Sequence, residues 1–141
     1  MGGIVAVDIS SEMLAVARRK GFPSCVSFVQ ADMQRAPLRG GSFDRVICNA
    51  AFAHFPDRQK ALREMVRVLR PGGLLVISHP IGREAVNALH RRTEEVVSED
   101  AVPTGEEMRR LLQEAGLTGI RILDETDFYL GAGRAAQRLN S

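Results

Sequence analysis

Short, β-branched, nearly all-apolar runs alternate with segments of helical periodicity along most of this chain, and that alternation limits the architectures open to it. Gly3 to Ile9 reads as a first strand, followed by Ser10 or Ser11 as a helix N-cap. Met13, Leu14 and Ala17 share one face of the helix that follows, which ends on Arg18, Arg19, Lys20 and Gly21. Val26, Phe28 and Val29 predict a second strand leading to Asp32, and the Gly40, Gly41, Ser42 cluster marks a loop. Phe43 to Asn49 is a third strand, apolar enough to be covered on both faces.

Asp57 caps a helix carrying Ala61, Leu62, Met65, Val66 and Leu69, stopped by Pro71, Gly72 and Gly73. Leu74 to Ser78 is a fourth strand. A helical stretch follows Pro80, and Thr104 with Glu107 forms a capping box for a helix that Gly116 closes. Ile120 to Leu123 and Phe128 to Leu130 are two final strands expected to pair antiparallel, and Gly131 and Gly133 read as a strand exit. Strands and helices in this order predict a doubly wound α/β fold with a mostly parallel sheet of about six strands, in one domain over residues 1–141.

Composition excludes several function classes. Lysine and arginine total 19 against 17 acidic residues, a net +2 too small for a nucleic-acid footprint. Six Phe, one Tyr and no Trp supply few rings for stacking bases. No apolar run approaches the roughly 18 residues of a membrane span. Cys25 and Cys48 have no pairing motif, and with no signal-peptide pattern at the start a reducing cytoplasm is expected. Three histidines without metal-ligand spacing argue against zinc. A small-molecule ligand is the expectation, with no nucleic acid and no membrane.

In open α/β sheets ligands bind beyond the carboxyl ends of the strands. Asp8, Asp32, Asn49 and the pair Ser78 and His79 occupy those ends, a set suited to a ligand rich in hydroxyls and amines. The competing reading of Asp8 and Asp32 is a capping or solvated carboxylate.

Val-Ala-Val-Asp-Ile-Ser (Val5 to Ser10), Gln-Ala-Asp-Met (Gln30 to Met33), Ser-Phe-Asp-Arg-Val-Ile-Cys-Asn (Ser42 to Asn49), the run from Glu64 to Ser78 and Leu-Leu-Gln-Glu-Ala-Gly-Leu (Leu111 to Leu117) resemble, in order, class I S-adenosylmethionine-dependent methyltransferases of the type 11 group. The resemblance implies a Rossmann-like fold and S-adenosylmethionine as cofactor. It implies that Asp8 holds the ribose hydroxyls, Ile9 packs on the adenine, Asp32 accepts from the adenine amino group with Met33 adding a backbone contact, and Asn49 and Ala50 border the methionine portion. It makes His54 the candidate catalytic residue, a general base where the acceptor must lose a proton; the alternative is a histidine packed in its loop. His79, Arg83 and His90 would face the acceptor, against the reading of a solvated helix face.

The same resemblance exposes a gap. The family's first strand and its glycine-rich loop normally precede the ribose carboxylate by roughly 20 residues, and only seven residues precede Asp8. That loop brings backbone amides to the methionine portion, so cofactor binding is weakened without it. The missing strand lies between those ending at Asp8 and Asn49. Three outcomes are expected: the two flanking strands pair directly, a second copy or another protein covers the open edges, or the chain is a piece of a longer protein. The activity expected is methyl transfer to a small-molecule acceptor; the alternative is a methyltransferase-like binding or regulatory module without catalysis.

Overall fold

The computed structural model describes residues 3–79 and 102–137. The chain divides into two compact units, Met1–Leu38 and Arg39–Ser141.

The first unit is a β-α-β element: β1 (Ile4–Asp8), α1 (Ser11–Arg19) and β2 (Val26–Gln30). Ser10 is the N-cap, its hydroxyl accepting from the Met13 N–H at 3.2 Å. Glu12 in the first turn and Arg18 and Arg19 in the last complement the helix dipole. Gly21, just beyond the helix, takes φ +72°, a conformation glycine adopts without a Cβ penalty. Leu14 is the buried anchor of α1. β1 and β2 pair in parallel from Ile4 opposite Val26 to Asp8 opposite Gln30, so their carboxyl ends share one edge.

The second unit contains β3 (Phe43–Asn49), α2 (Arg58–Val68), β4 (Leu69–His79), α3 (Gly105–Glu114), β5 (Thr118–Asp124) and β6 (Tyr129–Arg134). Its sheet has the order β3-β4-β6-β5, with β3 parallel to β4 and the last two strands antiparallel to their neighbours. Asp57 caps α2 by accepting from the Lys60 N–H at 3.0 Å. Both halves of the Thr104 and Glu107 capping box are formed. One face of the sheet, carrying Leu75 and Ile77, is buried with Leu62, Met65, Met108 and Leu112 from the helices. On the opposite face Ile47 remains 68% exposed.

Three expectations change. The strands ending at Asp8 and Asn49 do not pair with each other: β1 is bonded to β2 and β3 to β4, and neither has a ladder on its other edge among the described residues. A strand has two hydrogen-bonding edges, and in each of these the helix-linked neighbour satisfies only one. β4 is also longer than expected. It begins at Leu69, and the register jumps from Phe43 opposite Leu69 to Arg45 opposite Leu74, so Pro71, Gly72 and Gly73 bulge out of the ladder instead of preceding it. Gly131 and Gly133 lie inside β6, not beyond it. A Cβ on Gly131 would come within 2.8 Å of Met108 Cγ, and one on Gly133 within 3.0 Å of Leu117 Cβ, so these glycines let α3 and the turn after it close on the sheet. The helical stretch expected after Pro80, with Arg83 and His90, lies outside the described residues.

Candidate functional site

In the first unit the parallel pairing brings Asp8, Ile9, Asp32 and Met33 to the same strand-end edge. Asp8 closes β1; its carbonyl accepts from the Ala31 N–H at 3.0 Å, extending the ladder one step past β2. Its Oδ1 accepts from the Ser10 N–H at 2.9 Å, which turns the chain from strand into helix. Oδ2 takes no hydrogen bond from the described residues. Ile9 follows with 67% of its surface exposed. The Ile9 carbonyl accepts from Gln30 Nε2 at 3.2 Å, fixing this apolar residue's backbone beside β2.

Asp32 caps a short 3-10 turn, Met33–Arg35. Its Oδ1 accepts from the Gln34 N–H at 2.9 Å, and Gln34 Nε2 reaches Oδ2 at 3.2 Å and Oδ1 at 3.4 Å. Both carboxylates therefore perform the local capping that competed with the ligand reading. The difference between them is that Asp8 keeps one oxygen uncommitted, whereas Gln34 engages both oxygens of Asp32. Sequence reasoning missed Gln34 and Gln30. An Asp followed two residues later by a residue that donates from both backbone and side chain was the available signal for Gln34.

In the second unit, Asn49 ends β3 opposite Ser78. Ser78 Oγ donates to Asn49 Oδ1 at 3.0 Å, which fixes the amide oxygen at the strand end. Ala50 adopts φ +58° while its N–H donates to the Ser78 carbonyl at 2.7 Å, breaking the strand sharply at this point. Alanine carries no sequence mark of a left-handed residue. The chain then enters a 3-10 turn, Phe52–His54, in which Phe52 and Ala53 are fully buried and His54 is exposed. The His54 N–H donates to the Ala51 carbonyl at 3.0 Å. Two buried residues thus hold the turn, with exposed His54 as its last residue.

The expectation for His79 is corrected. It is 3% exposed and stands opposite Tyr129 in the ladder, with ring centroids 6.0 Å apart. Its place as the last residue of β4 sets it on the same face as Leu75 and Ile77, because side chains alternate along a strand. That is the core face, so it is a packing residue and not one facing an acceptor. Cys48, opposite Ile77 in the ladder, is also buried, and burial pushes its thiol up to about 12. Cys25 is free and exposed.

Two hollows, one of about 200 Å³ between α2 and α3 and one of about 310 Å³ at the start of β3 and β4, contain none of these site residues. Among the described residues no cluster of three His, Cys, Asp or Glu is placed to hold a metal, and no helix is long and apolar enough to cross a membrane.

Compared with known families, residues 2–77 match the type 11 methyltransferase domain. The chain belongs to that family. Among curated relatives, this family member is 43% identical over 76 residues to a demethylmenaquinone methyltransferase of Thermus thermophilus, covering 52% of the chain and 34% of the relative. It is 40% identical over 75 residues to a malonyl-[acyl-carrier protein] O-methyltransferase of Enterobacter lignolyticus, covering 53% and 29%. The chain thus spans about a third of the length of the curated relatives it matches. Among solved structures it resembles an S-adenosylmethionine-dependent methyltransferase of Thermotoga maritima, with TM-score 0.77 and 22% identity over 93% of this chain and 72% of that one. An N-methyltransferase of Haemonchus contortus, solved with phosphomonomethylethanolamine and S-adenosylhomocysteine, gives TM-score 0.78 and 17% identity over 96% and 44%. The fold of this methyltransferase-family chain is Rossmann-like, as the strand and helix order predicted.

Proposed function

We propose that this chain carries the nucleoside-binding edge of an S-adenosylmethionine-dependent methyltransferase acting on a small-molecule acceptor, and that residues 1–141 belong to one methyltransferase-like domain. The observation that carries the reading is Asp8: a half-buried carboxylate at a strand end, with Oδ1 fixed by Ser10 and Oδ2 uncommitted, followed by the exposed apolar surface of Ile9. A fixed carboxylate beside bare hydrocarbon fits a ribose diol and an adenine ring, since the diol supplies donors and the ring supplies apolar area. Asp32, held by Gln34, is assigned to the adenine amino group, with Met33 contributing backbone. Separately, the Asn49 amide and Ala50 are assigned to the methionine portion.

When bound, S-adenosylmethionine supplies a methyl group activated by its sulfonium. Transfer is an in-line displacement governed by positioning, so the protein's task is to orient donor and acceptor and to exclude water. His54, exposed on its 3-10 turn, takes the acceptor's proton where the acceptor must lose one. Modest net charge and scarce aromatic rings support a small-molecule acceptor over nucleic acid or a membrane surface. Two free thiols support a reducing, cytoplasmic setting.

Titration of the chain with S-adenosylhomocysteine tests the reading by calorimetry. Saturable binding tighter than about 1 mM, weakened at least about tenfold in Asp8→Ala, is expected. Absence of saturation, or equal affinity in parent and Asp8→Ala, rejects it.

A second reading is a methyltransferase-like module that binds a partner without catalysis. The edge of β3 that has no ladder among the described residues favours it, because such an edge invites a strand from a second copy or another protein. Stable self-association without cofactor supports this reading; a monomer at all concentrations that turns over methyl donor opposes it.

A further inference from the structure

We propose that the hollow at the amino-terminal ends of β3 and β4 is a binding site for a phosphate-bearing small molecule. It lies at the opposite end of the strands from Asn49 and Ser78. Cross-strand register sets Arg45 beside Leu74 and Leu74 beside Arg134, so two arginines flank a leucine on one face of three adjacent strands. At about 4.8 Å between strands their backbones stand roughly 10 Å apart, within reach of a shared ligand for side chains of this length. Arg70 enters the same hollow from the start of β4.

Two of the three guanidiniums are held in place by the protein. Arg70 Nη1 donates to Asp44 Oδ1 at 2.8 Å, and Arg134 Nη1 donates to the Gly72 carbonyl at 3.1 Å. Each guanidinium has five N–H donors, so each keeps most of its donors available. Arg45 makes no hydrogen bond or ion pair among the described residues. The hollow therefore gathers three positive charges against the one carboxylate of Asp44. Arg45, Arg70 and Arg134 are all exposed and so accessible to a ligand, and planar forks suit the tetrahedral oxygens of phosphate.

The bulge residues Pro71, Gly72 and Gly73 line one side of the hollow. Gly72 sits at φ +76° with the Gln137 side chain against it, and a Cβ on Gly73 would lie 2.8 Å from the Arg70 carbonyl and 2.9 Å from Leu69 Cδ2, so only glycine fits this closely packed bend. The volume of the hollow, about 310 Å³, exceeds what inorganic phosphate needs and admits a phosphorylated small molecule.

The test titrates inorganic phosphate into the full chain at constant ionic strength, using phosphorus NMR, with Arg45→Gln and with Arg109→Gln on the exposed side of α3 as a control. Circular dichroism checks that each variant is folded. Saturable binding with Kd near about 1 mM, weakened at least about tenfold by Arg45→Gln and unchanged by Arg109→Gln, supports the site. No saturation below about 50 mM, or equal weakening by both variants, overturns it. Because the hollow contains none of the nucleoside-edge residues, S-adenosylhomocysteine affinity is expected to be the same in Arg45→Gln and parent, which separates failure of this site from failure of the methyl-donor reading.

Discussion

The phenol of Tyr129 donates to the backbone carbonyl of Pro103 at 2.8 Å in a buried setting, tying β6 to the segment that enters α3. Tyr129 is fully buried and its ring also meets His79 edge-on. One side chain thus fixes the last residue of β4, the start of β6 and the approach to the capping box.

Tyr129→Phe keeps the ring and removes the donor, leaving the Pro103 carbonyl buried without this partner. A loss of about 1 to 3 kcal/mol is expected from the unsatisfied group. Urea unfolding checks it, and an unchanged midpoint would show that the hydroxyl contributes nothing.

Gly131 faces Met108, whose Cγ would sit 2.8 Å from an added Cβ. Gly131→Ala is expected to cost about 1 to 3 kcal/mol through overpacking of α3 on the sheet. Combining it with Met108→Ala should cost less than the two single changes summed, because each relieves the other. Strict additivity in a double-mutant cycle would refute the contact.

Cys48 has its thiol pushed up from 9.0 to about 12 by burial. The folded state therefore retains a proton that the unfolded state releases above pH 9. Stability is expected to be unaffected by this group below that point and to fall between pH 9 and about pH 12, with a slope of at most about 1.4 kcal/mol per pH unit. Cys48→Ala should flatten that part of the profile. At about pH 8 an alkylating reagent should modify exposed Cys25 and spare Cys48 in the folded chain.

Ala50 holds φ +58° at the end of β3. Its left-handed conformation costs roughly 1 to 2 kcal/mol relative to an ordinary one. Ala50→Gly should remove that strain, and after the greater chain freedom of glycine in the unfolded state a net gain of about 0.5 kcal/mol is expected. Thermal unfolding measures it; a lower midpoint would mean that the Cβ makes a contact worth more than the strain.

Much of the architecture was legible because it rests on local chemistry. Ser10, Asp57 and Thr104 cap their helices through side-chain oxygens that bond a few residues away, so each start could be read directly. Asp8, Asp32 and Asn49 could be placed at strand ends for the same reason: an apolar run stops where a polar residue and a helix signal begin. The roles beyond that came from resemblance. Whether a carboxylate has an oxygen to offer depends on its neighbours in space, and Asp8 and Asp32 look alike in sequence while only Asp32 has both oxygens taken by Gln34.

The order of residues alone determined the alternation of strands and helices, the helix boundaries and the positions where strands end, since each follows from periodicity and from groups within a few residues of one another. Tertiary structure decided the rest: that β4 runs through Pro71 with a bulge, that Gly131 and Gly133 admit a helix, that His79 is buried, and that among the described residues β1 pairs with β2 and β3 with β4. These depend on which surfaces meet across long stretches of chain, where register and shape, not local preference, set the energy.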